Sequence, residues 1–172
     1  TDPASIVQEL CFGDKNAAFN IVVTGGTEPY STSLDNKNGV YTTWPAGQSP
    51  IPFTGLTGGN HTVFIRDANL CEFELVVPLN PSVLLDPKAI VNYICGGNVA
   101  GNTVTVTIDA SNIPADVTYS LDSSAATQIS NVFTNLVPGD HFIMAHHRNG
   151  CVDATPVFNI LQIEPLAVVL SQ

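Results

Sequence analysis

The chain repeats itself, and this internal repeat limits the fold more than any other feature of the sequence. The opening "DPASIV" at positions 2–7 returns as "DPKAIV" at positions 86–91, in a chain of 172 residues. Further along, "FTGLTGGNHTV" at 53–63 matches "FTNLVPGDHFI" at 133–143. Insertions fall where loops are predicted, as in duplicated modules. We therefore predict two domains, residues 1–85 and 86–172.

Alternation of apolar and polar residues predicts that both modules are all-β. In "NTVTVTI" the residues Val104, Val106 and Ile108 share one face, as a half-buried strand requires. Phe19, Ile21 and Val23 repeat this spacing in the first half. Turn residues separate the predicted strands at short intervals, which is typical of a β-sandwich.

Each module contains two cysteines, one after its first predicted strand and one after the strand that contains the shared "G.H" sequence. Of the three pairings, the simplest is two intramodular disulfides, Cys11–Cys71 and Cys95–Cys151. Four predicted strands between the members of a pair would bring both to one end of the module. Disulfides of this kind stabilise small domains and indicate an oxidising compartment. Zinc binding and free thiols are the alternatives, but no CxxC or HxxxH spacing supports a zinc site.

Composition excludes some partners. The net charge of −10 repels nucleic acid phosphates and anionic membranes, and no apolar run is long enough to span a bilayer. The charged fraction is only 12%, which is typical of extracellular β-domains. Because the chain begins at Thr1 and has no signal peptide, we expect it to be a segment of a longer exported protein.

Acidic and amide side chains make calcium the candidate cofactor. Asp67 and Asn69 lie in "RDANLC", and Asp86 lies at the junction of the modules. Oxygen ligands at these positions would bind a hard cation and stiffen the chain. The alternative is that these side chains stabilise their own turns, and then no cofactor is needed.

Two aromatic residues are candidate ligand contacts. Tyr41 and Trp44 lie in a long connection of the first module, where an exposed ring would stack on a sugar or contact a partner. The alternative is that both rings cover the small core of their own module.

No catalytic arrangement is recognisable in the sequence. His141, His146 and His147 cluster, but they lie on a predicted strand, where we expect a solvated face or turn contacts. Neither GxSxG nor HExxH occurs, so we expect the chain not to be an enzyme.

The order of these elements resembles the repeat of the SprB-type gliding-motility adhesins of Bacteroidota. The matching elements are Cys11, "GG..PY" at 25–30, "SLD" at 33–35, "FTGLTGG" at 53–59 and "IRDANLC" at 65–71. The second module keeps "YSLD", "FTNLVPGD" and "RNGC" but lacks the double glycine and has His147 in place of Asp67. The resemblance implies immunoglobulin-like sandwiches in long arrays, secreted by the type IX pathway and used in adhesion.

These observations predict a non-catalytic segment of a large adhesin at the cell surface, which acts as a stalk or spacer. Its expected partners are neighbouring modules of the parent chain and a surface polysaccharide, with no nucleic acid and no membrane insertion. Two alternatives remain open: an accessory carbohydrate-binding segment of a secreted polysaccharide-degrading enzyme, and a component of a filament or surface layer.

Overall fold

The chain divides into two compact units, Thr1–Val83 and Leu84–Gln172, which we call module 1 and module 2. The predicted boundary after residue 85 lies two residues beyond this division. The computed structural model describes residues 5–96 and 99–169. Asp2, Pro3 and Ala4 of the first predicted opening, and Gly97 and Asn98 of a predicted turn, lie outside the described residues.

Module 1 contains two antiparallel sheets. Its strands are β1 (Ala17–Ile21), β2 (Ser31–Leu34), β3 (Thr42–Thr43), β4 (Ile51–Leu56), β5 (Asn60–Arg66) and β6 (Glu72–Pro78). One sheet pairs β1 with β4, and Val7 of the preceding segment bridges Ala18 at the edge of this sheet. The other sheet has the order β3-β2-β5-β6.

The core of module 1 forms where the period-2 pattern predicted it. Phe19 and Ile21 of β1 are each only 1% exposed, and Val23 is half-buried. Phe19 lies opposite Phe53 of β4, and the two rings stack with centroids 5.0 Å apart. Alternating residues of β1 therefore face the second sheet, as the sequence predicted.

Module 2 repeats this arrangement. Its strands are β7 (Lys88–Gly96), β8 (Val99–Thr107), β9 (Val117–Leu121), β10 (Val132–Thr134), β11 (Gly139–His141), β12 (Ile143–His147), β13 (Val152–Ala154) and β14 (Phe158–Ile160). One sheet has the order β10-β8-β7, and the opposite layer contains β13-β12-β9 and the separate pair β11-β14, in which β11 leads directly into β12 and β14 follows β13. Val104 and Val106 of β8 are fully buried, and Ile108 is half-buried. A single 3-10 turn at Pro114–Asp116 precedes β9.

Both modules are immunoglobulin-like β-sandwiches. In each, the first, second and fifth strand segments form one sheet, and the third, fourth, sixth and seventh form the other. The first segment of module 1 is represented by the Val7 bridge, and the fourth segment of module 2 by a bridge from Tyr119 to Gln128. This shared strand order confirms the predicted all-β fold of two tandem modules.

The predicted cysteine pairing is wrong. Cys11 and Cys151 are disulfide-bonded, whereas Cys71 and Cys95 are free, exposed thiols. Neither module therefore contains the intramodular disulfide that the sequence suggested.

A short strand that the sequence did not reveal explains this error. The prediction counted four strands between Cys11 and Cys71, but β3 pairs with β2 and brings the number to five. Each antiparallel strand carries the chain from one end of the sandwich to the other. An odd number therefore places Cys11 and Cys71 at opposite ends of module 1. The Tyr119–Gln128 bridge has the same effect in module 2.

Candidate functional site

Asp67 organises the turn between β5 and β6 at one end of module 1. Its Oδ1 accepts the N–H groups of Asn69 and Cys71, both at 2.9 Å. Its Oδ2 accepts the N–H of Thr27 at 3.0 Å and so connects this turn to the loop after β1. The N–H groups of Cys71 and Thr27 hold the pKa of Asp67 below its ordinary value, against the opposing effect of burial. The carboxylate is thus committed to backbone donors.

Both glycines of the loop after β1 have a positive φ, and one of them, Gly26, also lies against Asp67. Gly25 and Gly26 have φ values of 80° and 70°, which side chains other than glycine adopt at a cost. A Cβ atom added to Gly26 would lie 3.2 Å from Oδ2 of Asp67, whereas one added to Gly25 would meet nothing within 4 Å. The hydroxyl of Tyr30 donates to the carbonyl of Gly25 at 2.6 Å and holds the loop.

We expect Gly26→Ala to destabilise module 1 more than Gly25→Ala. Both changes incur the strain of a positive φ, about 1–2 kcal/mol, but only Gly26→Ala also displaces Asp67, for a total of roughly 2–3 kcal/mol. Urea denaturation of the two variants provides the comparison, and Gly25→Ala is the matched control. Equal losses in the two variants would contradict a specific contact between Gly26 and Asp67.

An open cleft of about 400 Å³ lies beside the β5–β6 turn. Its lining includes Val22, Cys71, Glu72 and Phe73. The side chains of Val22 and Phe73 are 59% and 65% exposed, so the apolar wall of the cleft faces solvent. This end of module 1 therefore combines an apolar groove, an exposed thiol and a rigid acidic turn.

The predicted calcium ligands already have partners within their own modules. Asn69 donates its side-chain N–H to Thr27 Oγ1 at 2.9 Å, beside the backbone contacts of Asp67. Asp86 belongs to module 2 and pairs with Lys88 at 2.9 Å. No group of three or more His, Cys, Asp or Glu side chains within residues 5–96 and 99–169 is placed to hold a metal ion. Calcium binding by Asp67, Asn69 and Asp86 stays a prediction.

Of the two predicted aromatic contacts, Trp44 covers the core of its own module. It packs against the buried cluster, and its Nε1 donates to Thr32 Oγ1 at 2.8 Å. Tyr41 is half-buried, and the guanidinium carbon of Arg66 lies 3.8 Å from its ring centroid. Arg66 therefore already occupies one face of the Tyr41 ring, and a ligand contact by either aromatic residue stays a prediction.

A buried histidine paired with a partly exposed aspartate occurs in both modules, and the sequence patterns above did not predict it. In module 1, His61 Nδ1 lies 2.6 Å from Asp35 Oδ2, and Nε2 lies 3.0 Å from the carbonyl oxygen of Thr57. Asp35 Oδ1 also accepts the N–H of Thr62 at 2.7 Å. The signal was present, because "SLD" and "G.H" recur together in both halves of the sequence.

Module 2 contains the equivalent pair, so His141 is buried and not on a solvated face, and it makes the turn contact that was the other expectation. Its Nδ1 lies 3.0 Å from Asp122 Oδ2, and its Nε2 lies 2.9 Å from the carbonyl oxygen of Val137. Both ring nitrogens thus face acceptors, which favours the doubly protonated ring. The carbonyl of Val137 and the carboxylate of Asp122 raise the pKa of His141 above its ordinary value, while burial opposes them.

The other two histidines of the cluster have different surroundings. His146 is half-buried, with Nε2 2.9 Å from the hydroxyl of Ser120. Ser120 is only 1% exposed, so a substrate has no access to this hydroxyl in the folded module. His147 occupies the turn position of Asp67, where its Nδ1 accepts the N–H of Asn149 at 3.2 Å. The three histidines therefore serve three separate local contacts.

No family model and no curated protein matches the chain. Solved structures with a similar arrangement include the fibronectin(III)-like modules of CbhA from Clostridium thermocellum, with 15% identity, 90% of each chain covered and a TM-score of 0.32. Murine CEACAM1b has 13% identity, with 92% of this chain and 98% of that chain covered and a TM-score of 0.37.

The three N-terminal domains of the outer capsid protein Hoc of bacteriophage RB49 have 17% identity, with 88% of this chain and 57% of that chain covered and a TM-score of 0.28. All three scores are too low to carry an argument about function. The fold assignment therefore depends on the strand order within each module.

Proposed function

We propose that the chain is a non-catalytic, load-bearing segment of a secreted cell-surface adhesin, in which it acts as a stalk or spacer. The strand topology of module 1 carries this proposal. Seven strand segments, counting that of Val7, cross module 1. Because this number is odd, the chain begins module 1 at one end of the sandwich and leaves it at the other, as a module within a linear stalk must.

The first and last segments of module 1 are also bonded to each other directly. Cys11 and Val83 form a parallel bridge, in which Phe12 N–H donates to Val83 O at 2.9 Å and Val83 N–H donates to Leu10 O at 2.8 Å. A force that pulls the two ends of module 1 apart moves these parallel segments in opposite directions along their axes. Both hydrogen bonds are then sheared together, which is a geometry that resists extension.

The compartment follows in part from the cysteines. Disulfide-bonded Cys11 and Cys151 on an immunoglobulin-like fold indicate an extracellular domain. In the described part of the chain, no helix has the length and apolarity needed to cross a bilayer. Attachment of the parent protein to the outer membrane, type IX secretion and a role in gliding motility belong to the proposal and are supported by the repeat resemblance.

The proposal includes neither catalysis nor a cofactor. Ser120, which is hydrogen-bonded to His146, is buried, and the Asp67 carboxylate accepts three backbone donors. The proposed partners are neighbouring modules of the parent chain, together with a polysaccharide or another ligand at the cell surface. The parent reading frame discriminates between the alternatives: many copies of the repeat favour an adhesin, whereas an adjoining hydrolase domain favours an accessory carbohydrate-binding segment.

We expect Val83→Pro to lower the unfolding force of module 1 in single-molecule pulling from the two chain ends under reducing conditions, because an intact disulfide at Cys11 and Cys151 would divert the load past module 1. The change removes the N–H that donates to Leu10, for a loss of about 1–2 kcal/mol of stability. The fractional loss in unfolding force should exceed the fractional loss in thermal stability. Only two hydrogen bonds carry the shearing load, so the loss of one transfers that load to the other.

Val63→Ala is the control for this experiment. Val63 is fully buried in β5, and its truncation costs about 2 kcal/mol while leaving the bonds between Leu10, Phe12 and Val83 in place. We expect this variant to unfold at nearly the wild-type force. A mechanical loss in Val63→Ala as large as that in Val83→Pro would contradict the load-bearing role of the terminal segments.

A further inference from the structure

The four cysteines are of two kinds by their place in the module, and only one cysteine of each kind is in a disulfide. Cys11 and Cys95 belong to the first strand segment of their modules, and we call them first-strand cysteines. Cys71 and Cys151 follow the sixth segment, and we call them turn cysteines. The disulfide-bonded cysteines, Cys11 and Cys151, are one of each kind. The exposed free thiols, Cys71 and Cys95, are also one of each kind.

The free turn cysteine has the same backbone setting as the disulfide-bonded one. In module 1 the N–H of Asp67 donates to the carbonyl of Cys71 at 3.1 Å, and in module 2 the N–H of His147 donates to that of Cys151 at 2.8 Å. The same turn thus presents a bonded sulfur in one module and a free thiol in the other. Cys71 therefore occupies a position that the duplicated module already uses for a disulfide.

Neither free cysteine has a disulfide partner available within its own module. Five strand segments separate the first-strand cysteine from the turn cysteine in each module, so the two lie at opposite ends. Within module 1, Cys71 consequently has no first-strand cysteine within reach, and within module 2, Cys95 has no turn cysteine within reach. A partner for each must come from a surface outside its own module.

Both free thiols lie beside exposed apolar surface. Cys71 lines the 400 Å³ cleft that contains Val22 and Phe73. In module 2, Tyr93 shares one face of β7 with Cys95 and is 40% exposed, and its hydroxyl accepts the N–H of Leu161 at 2.8 Å. This bond places Leu161, the start of the final segment (residues 161–169), near the strand that contains Cys95.

The final segment exposes apolar side chains of the kind that packing against another module would bury. Leu166, Val168 and Val169 are 84–88% exposed. Val169 corresponds to Leu85 in the repeat, since the offset between the halves is 84 residues at this point. Leu85 is only 3% exposed, and its carbonyl accepts the N–H of Asp109 within module 2. The equivalent position is therefore buried where a following module is present.

We propose that Cys71 of one molecule and Cys95 of a second copy form a disulfide, with the apolar surface around Cys95 docked at the cleft beside Cys71. Two thiols lose two protons and two electrons as the sulfur–sulfur bond forms, and a small-molecule disulfide accepts them and is reduced to two thiols. After one bond forms, the linked pair keeps a free Cys95 on one copy and a free Cys71 on the other, so further reaction produces head-to-tail covalent chains. This assembly goes beyond the proposed stalk function and does not require a role in adhesion.

The test uses two single-cysteine partners in a glutathione redox buffer. Cys95→Ser retains only the free Cys71, and Cys71→Ser retains only the free Cys95, with a size tag on one partner. We expect the mixture to give a disulfide-linked heterodimer in about tenfold excess over either homodimer, because docking raises the effective concentration of the correct pair. Mass spectrometry of the digested product should identify the peptide that links Cys71 to Cys95.

Three further measurements determine whether docking of the two copies selects the Cys71–Cys95 disulfide. Wild-type protein should give a ladder of covalent oligomers that a reducing agent removes, and the variant with both Cys71→Ser and Cys95→Ser should give none. Val169→Asp changes an exposed residue, so it should leave folding intact and lower the heterodimer yield severalfold. Homodimers as abundant as the heterodimer, an internal Cys71–Cys95 bond in a monomer, or a yield unaffected by Val169→Asp would each overturn the proposal.

Discussion

Phe19→Ala is expected to remove about 3–5 kcal/mol from the stability of module 1. Phe19 is 1% exposed and stacks on Phe53 across the β1–β4 pair, so its truncation leaves a cavity between the sheets. A domain of this size has a free energy of unfolding of roughly 4–12 kcal/mol, so the loss is a large share of the total. Urea denaturation followed by fluorescence of Trp44, the only tryptophan of the chain, reports on module 1.

Phe73→Ala provides the matched control for this prediction. Phe73 has the same side chain in the same module, but it is 65% exposed on β6. We expect its truncation to change stability by less than about 1 kcal/mol. If Phe19→Ala were no more destabilising than Phe73→Ala, the two sheets would not be held together by the core described above.

The histidine–aspartate pairs are expected to make both modules less stable as the pH rises above about 6.5. In module 1, burial acts to lower the pKa of His61, but the Thr57 carbonyl and the Asp35 carboxylate outweigh it and leave the pKa raised above its ordinary value of 6.5. A group with a raised pKa stabilises the fold fully below its unfolded pKa and loses that contribution as the pH passes its folded pKa. The pKa of His141 is also raised, so module 2 should lose stability over the same direction of pH change.

We therefore expect Asp35→Asn to cost about 1–1.5 kcal/mol at pH 6, since solvent screens the half-exposed Asp35 carboxylate, with a smaller cost at pH 8.5, because the protonated fraction of His61 falls as the pH rises through its raised pKa. Asparagine keeps an oxygen for the N–H of Thr62 and tolerates the positive φ of this position. Denaturation midpoints at several pH values measure the difference between variant and wild type.

Asp86→Asn is the control, because Asp86 also has a positive φ but forms an exposed ion pair with Lys88. Exposed pairs contribute little, so we expect no measurable change in this variant. A loss in Asp35→Asn that is independent of pH between 6 and 8.5 would show that the charge on His61 does not support the fold.

Period-2 patterns and the internal repeat predicted most of the architecture. Val104 and Val106, like Phe19 and Ile21, lie inward as their spacing required. The reason is local: side chains alternate between the faces of any strand, so a half-buried strand is visible in its own sequence. The first strand of module 1 pairs weakly: among its described residues, Val7 bridges Ala18 of the neighbouring strand.

The candidate sites were less predictable, because each depends on groups that are distant in sequence. The His61–Asp35 pair joins residues 26 positions apart, and Asp67 accepts the N–H of Thr27 from 40 positions away. Similarly, Trp44 is half-buried only because β3 places it against the core and near Thr32. Sequence spacing identifies such residues but not their partners.

The amino-acid sequence by itself determined that this protein consists of two all-β modules, because alternation and duplication are properties of the chain alone. The tertiary structure decided which cysteines can meet. The two-residue strand at Thr42–Thr43 has little sequence signal, yet it adds one crossing of the sandwich. Since each crossing reverses the end at which the chain emerges, this strand separates Cys11 from Cys71 and leaves Cys71 exposed.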